Sequence, residues 1–290
     1  MSTAPTLVST APTLVLDCDG TLADTERYGH LPAFNRTFAE AGLDLVWSED
    51  DYADKLRIGG GKERMASVLT PDFVRAHGLP TDPDGQRDLL AGWHRTKTAH
   101  YVEMVRAGQL PARPGIARLL PAALDAGWTV AVASTSAMPS VQAVLRSVVG
   151  DAVARRIPVF AGDAVGAKKP APDIYRLAVS SLGADPARTL AVEDSHNGLR
   201  SALAAGLGCV VTVNGYTREE DFTGAALVLD SLGDPGTDPV RVLADPLGVA
   251  PDGFVRLGDL LRCLPPATDE HTHQHDAHQH RADHDERTTA

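Results

Sequence analysis

The chain has 290 residues, of which 43% are hydrophobic and 22% charged, and a formal charge of −11. This is the composition of a globular chain able to bury a substantial core, and its acidity speaks against a nucleic-acid backbone as partner while leaving room for a small anion in a local cationic pocket. No apolar run is long enough to span a bilayer and no export signal is present, and Cys18, Cys209 and Cys263 suit neither a metal knuckle nor a disulfide framework, so the expectation is a cytoplasmic protein, most simply a monomer, with no membrane partner.

In chain order, "APTLV" occurs at residues 4–8 and again at 11–15, and only the second copy runs on into "LDCDG". The second copy is read as the first strand and residues 1–10 as a flexible leader. From about residue 25 to 113 no strand is convincing, whereas "HLPAFNRTFAEAG", "GGKERMASVL" and "GQRDLLAGWHRTKTAHYVEMVRAG" read as amphipathic helices. That interval is far longer than an ordinary connection, and it predicts a small helical domain over residues 25–110, inserted after the first strand and placed over the strand ends.

Beyond it come "WTVAVAST", "IPVFAGD", "TLAVEDS", "CVVTVNG" and "ALVLDS", short apolar or β-branched runs bounded by glycine, proline or polar residues. Their continuous hydrophobicity suits a parallel sheet covered on both faces. The helical patterns "GIARLLPAALDAG", "APDIYRLAVSSLG" and "NGLRSALAAGLG" alternate with them, which predicts a doubly wound, Rossmann-like α/β core made of residues 11–24 and 111–265. Residues 266–290 have almost no large apolar side chain and are expected to be disordered.

The strand candidates share an ending. "LVLD" finishes on Asp17, "VAVAS" on Ser134 and "LAVED" on Glu193 and Asp194, while "AGDAVGAKKP" brings Lys168 and Lys169 after another strand. Ligands of open parallel sheets bind outside the carboxyl ends of the strands, so these side chains should converge. Clustered carboxylates repel unless a cation offsets them, and Mg²⁺ favours carboxylate oxygens together with a substrate phosphate. Thr135 and Ser136 extend the turn after Ser134 as reserve phosphate ligands or as turn filler. Lys168 is a direct ligand or a solvated charge, and Ser195 and Asn197 stand where a helix starts, so capping accounts for either equally well.

Through "DCDGT" at residues 17–21, Ser134, the lysine before proline Lys169, and "VEDS" at 192–195, the sequence resembles the haloacid dehalogenase superfamily of phosphohydrolases. The resemblance implies that Asp17 attacks phosphorus to form an aspartyl-phosphate. It makes Asp19 the general acid and then base. It has Asp17, Asp194, Glu193 and the backbone carbonyl of Asp19 hold Mg²⁺, with Ser134, Thr135 and Lys169 gripping the phosphoryl oxygens.

In the insert, glycines 59–61 permit backbone conformations closed to other residues, and Lys62 and Arg64 follow them. Such a loop either closes over an anionic substrate or is a turn between helices with solvated charges. Together with "LADTERYGH" it resembles the CbbY subgroup of the superfamily, which implies a sugar bisphosphate, xylulose 1,5-bisphosphate, as substrate. On that resemblance Glu26, His30, Gly60, Gly61, Lys62 and Arg64 contact the sugar phosphate. His30 stands one residue beyond the position the resemblance expects, and one residue on an α-helix is about 100° of rotation. Unless a bend restores it, His30 faces away and Tyr28 serves instead, or the helix starts later. Lys55 and Arg57 are further candidates for the second phosphate, or a solvated helix face.

Six of the eleven histidines lie between His271 and His284, where they either chelate Zn²⁺ or Ni²⁺ or form a solvated tail. Three activities are compatible with these features: a Mg²⁺-dependent sugar-phosphate phosphatase, a β-phosphoglucomutase-like phosphomutase sharing the aspartyl-phosphate, and a non-catalytic metal-binding protein using the tail. The phosphatase is the leading expectation.

Overall fold

The computed structural model describes residues 10–265, so the leader repeat and the histidine-rich tail lie outside the described residues. β1 (Thr13–Leu16) is fully buried and sits in a seven-stranded sheet with β2 (Thr129–Ala133), β3 (Val159–Phe160), β4 (Thr189–Glu193), β5 (Gly208–Thr212), β6 (Leu227–Leu229) and β7 (Val242–Ala244), in the order β3-β2-β1-β4-β5-β6-β7. The first six pair in parallel. β7 is an antiparallel edge strand that the sequence pattern did not announce. Its side chains are all exposed, so it carries no buried apolar run to read.

Alternation along β1 sends Leu14 and Leu16 into one core layer and Val15 into the other. The first layer includes buried residues of α6 (Ile116–Asp125), α7 (Met138–Ala154) and α10 (Leu257–Arg262), and the second those of α8 (Asp173–Leu182) and α9 (His196–Ala204). Two covered faces explain why the strands read as unbroken apolar runs.

Between β1 and α6 the chain forms only helices: a five-residue π-helical turn (Glu26–His30), α1 (Leu31–Glu40), α2 (Glu49–Leu56), α3 (Gly61–Ala66), α4 (Pro71–Ala76) and α5 (Pro83–Arg106). They enclose an aromatic cluster of their own, including Phe34, Phe38, Trp47, Tyr52 and Trp93. The entering and leaving segments run side by side, with Asp24 N donating to Pro111 O and Arg113 N to Leu22 O, both at 3.0 Å. Tyr216, on the loop after β5, reaches up against the aromatic cluster. Among the described residues no helix is long and apolar enough to cross a membrane.

Candidate active site

Asp17 and Ser134 follow β1 and β2 directly, and the ladder runs on through their amides: Asp17 N donates to Val192 O and Ser134 N to Phe160 O, both at 2.9 Å. Glu193 ends β4 and Asp194 follows it. Asp17, Glu193 and Asp194 are buried, and one carboxylate oxygen from each lies within 4.8 Å of the others. Lys169 sits among them, its Nζ donating to Asp17 Oδ1 at 2.5 Å, Glu193 Oε1 at 2.6 Å and Ala133 O at 2.9 Å. One ammonium does not balance three carboxylates. Burial pushes the Asp17 carboxyl up to about 7, Lys169 opposes the shift and Glu193 adds to it, while Asp194 is also driven up by burial and by its neighbours Asp17 and Glu193. The donor set is all oxygen, dense and under-neutralised, which fits a hard divalent cation; when bound, Mg²⁺ would offset this repulsion and polarise a phosphoryl oxygen.

Asp19 lies across the cleft and is held differently. Its Oδ1 accepts from His30 Nε2 at 2.8 Å, and Ser136 Oγ donates to Oδ2. Burial alone would raise its carboxyl, but His30 and the hydrogen bonds from His30 and Ser136 outweigh that and hold it well below the usual range. His30 in turn stacks on Tyr101, with ring centroids 4.2 Å apart, and its Nδ1 is 2.5 Å from Lys97 Nζ. While Lys97 donates to Nδ1, the ring proton stays on Nε2 and points at Asp19. Lys97 is buried over the rings of Phe34 and Tyr101, and burial lowers its ammonium to about 8.

The register question at His30 has a structural answer. A π turn takes one more residue per hydrogen-bonded ring than an α turn, so the turn Glu26–His30 absorbs the extra residue. His30 is thereby returned to the cleft, and Tyr28 is left exposed outside it. Gly29 allows the tight packing, since a Cβ there would lie 2.6 Å from the Tyr101 ring.

Glu26 and Arg64 line the cleft wall as partners, 3.5 Å apart, with Tyr52 Oη donating to Glu26 and accepting from Arg64 Nη1 at 2.9 Å. Gly60, with φ of 99°, Gly61, Lys62 and Arg57 also line the cleft, whose volume is about 820 Å³. Lys55 is turned away, donating to Ser67 Oγ at 2.9 Å. Thr135 lines the cleft, as does Ser136, which is no turn filler because it bonds Asp19. Ser195 caps α9, accepting from Gly198 N at 3.2 Å.

Residues 11–206 match the family described as haloacid dehalogenase-like hydrolase. The chain belongs to that family. It is a hydrolase of the phosphatase kind, and it carries its acids at the ends of two adjacent parallel strands. It is 43% identical over 234 residues to a CBBY-like protein of Arabidopsis thaliana, a match covering 81% of this chain and 73% of that one. Protein CbbY of Cereibacter sphaeroides is 43% identical over 224 residues, 77% of this chain and 93% of that protein. A crystal structure of a CbbY variant from Rhodobacter sphaeroides in complex with xylulose-(1,5)bisphosphate aligns with a TM-score of 0.68 at 41% identity, covering 77% of this chain and 95% of that one.

The site of this haloacid dehalogenase-like hydrolase also contains residues that sequence reasoning missed. Tyr175 Oη donates to Glu193 Oε1 at 2.6 Å, and Asn214 Nδ2 donates to Asp194 Oδ2 at 2.6 Å, so each of these two acids is oriented by a neutral donor behind it. Gly198 leaves the room Glu193 occupies, since a Cβ there would lie 1.9 Å from Oε2. No local pattern marks Tyr175, Asn214 or Lys97; only the fold brings them to the cleft.

Proposed function

We propose that the protein is a Mg²⁺-dependent sugar-phosphate phosphatase that works through an aspartyl-phosphate, with xylulose 1,5-bisphosphate as substrate and residues 25–110 acting as a cap over the core of 11–24 and 111–265. The observation that carries the reading is the meeting in one cleft of Asp17, gripped by Lys169, and Asp19, gripped by His30. On this reading Asp17 is the nucleophile and Asp19 the proton carrier.

Asp17, Glu193, Asp194 and the Asp19 carbonyl would hold the cation. An oxygen of Asp17 forms a bond to phosphorus as the bond from phosphorus to the sugar oxygen breaks, and a proton delivered through Asp19 goes to that oxygen. Asp19 gives the proton as general acid and takes it back as general base, its carboxyl aimed by His30 Nε2 and Ser136 Oγ. Water then attacks phosphorus, its proton returns to Asp19, and cleavage of the acyl phosphate frees inorganic phosphate and restores Asp17. Lys169 and Ser134 steady the phosphoryl oxygens.

Support for a bisphosphate comes from Arg57 and Lys62, which line the cleft, and from the xylulose-(1,5)bisphosphate bound by the similar CbbY variant. The test is phosphate release from a panel of sugar mono- and bisphosphates with and without Mg²⁺. Xylulose 1,5-bisphosphate is expected to give the highest kcat/KM and to require the metal. Conversion of β-glucose 1-phosphate to the 6-phosphate with little phosphate release would assign the protein to the phosphomutases instead.

A further inference from the structure

Lys168 precedes the lysine that grips Asp17, yet its own side chain points the other way. Its Nζ donates to both carboxylate oxygens of Glu63 on α3, at 2.8 and 2.9 Å. The partners are 105 residues apart in sequence, one on the core segment leading into α8 and one on the helical insert. This is neither a solvated lysine nor a side chain held out toward the phosphoryl group.

The glycine loop explains how the two sides come so close. A Cβ on Gly60 would lie 2.2 Å from Glu63 Oε2 and 2.6 Å from Lys168 Nζ, and a Cβ on Gly59 would lie 3.1 Å from the carbonyl oxygen of Lys169. The loop therefore lies flat between the ion pair and the backbone of the Asp17-gripping lysine. The ion pair ties down the two features whose mutual placement matters: the loop over the cleft mouth and the segment that aims Lys169.

We propose that Glu63 and Lys168 are a latch between insert and core, positioning residues that set how much of the protein is closed and, through the adjacent backbone, hold Lys169 against Asp17. The two-oxygen grip gives the latch direction. The Glu63 side chain is 46% exposed against 18% for Lys168, so water reaches the pair and keeps its strength in the range of surface ion pairs. The kinetic part of this proposal rests on the phosphatase reading; the conformational part does not.

The experiment uses the full chain with spin labels at Val46→Cys on the insert and Leu203→Cys on the core, both exposed positions, while the three native cysteines are buried. The parent is expected to give one narrow distance distribution, and Glu63→Gln and Lys168→Met are each expected to add longer distances. The charge-swapped double variant Glu63→Lys, Lys168→Glu should restore the narrow distribution. In parallel, each single variant should lose roughly three- to tenfold in kcat/KM for phosphate release, a combined Glu63→Gln, Lys168→Met variant should be no worse than either single, and the swap should recover most of the loss. Identical distance distributions in the parent and Glu63→Gln, or additive kinetic losses with no recovery in the swap, would overturn the latch. Broadened distributions in a protein that hydrolyses no sugar phosphate would keep the latch and overturn the functional reading instead.

Discussion

At the floor of the cleft three carboxylates, Asp17, Glu193 and Asp194, arrive from two adjacent strands with a single ammonium, Lys169, among them. In the insert above, Glu26 meets Arg64, and Lys97 and His30 line up behind Asp19, from the π turn, α3 and α5. The floor is left net negative and the roof net positive once Glu26 and Arg64 cancel. A buried charge that is not neutralised within the protein is costly, and on the proposed reading a cation below and an anionic substrate above offset it. The strand ends deliver fixed chemistry, and the helices deliver an adjustable counter-charge.

The comparison is broken most severely at the floor. Asp17→Asn is expected to lower phosphate release on the order of 10⁴-fold or more in a stopped assay, with binding of the substrate analogue retained, because the nucleophile is lost and the counter-charges stay. Gly198→Ala should displace the Glu193 carboxylate from the room it occupies and raise the Mg²⁺ concentration for half-maximal activity roughly 10- to 100-fold, measured by metal titration of rate and by calorimetry.

In the roof, Lys97→Met should reduce kcat about tenfold, as His30 loses the donor that fixes its tautomer. Its effect on stability should have a distinct pH signature. The Lys97 ammonium falls from 10.5 to about 8 on folding through burial. Below pH 8 it is charged in both states and the cost of burying it is borne in full; between 8 and 10.5 the unfolded chain binds the extra proton, so the parent gains stability as pH rises. Urea melts should therefore show the methionine variant favoured by up to the order of 3 kcal/mol below pH 8, with the advantage fading toward pH 10.5. Smallest of all, deletion of residues 266–290 should change kcat/KM less than about twofold, since floor and roof both lie within the described residues.

The floor was legible in the sequence because its acids and Ser134 end strands or directly follow them, and a buried parallel strand is an unbroken apolar run that ends where its side chain emerges. The same logic hid β7, whose three residues are all exposed, and α2, where Tyr52 alone is buried and acidic residues mask the helical period. In the roof, Lys97 sits in a mostly polar helix and Tyr175 in the core among apolar neighbours, so neither differs in sequence from a solvated lysine or a packed aromatic ring. His30 was legible as a residue but not as a direction, because direction on a helix depends on the size of each hydrogen-bonded ring along the way.

That dependence has a consequence for chain length. A π turn is an α turn with one residue to spare, and here the spare lies within the segment that carries exposed Tyr28. Removing Tyr28 should let the segment close into ordinary α geometry with His30 still aimed at Asp19, whereas removing a residue from the middle of α1 would rotate everything beyond the cut. The turn works as a slack loop in a cable: this stretch of chain can be shortened by one without moving what hangs from its end.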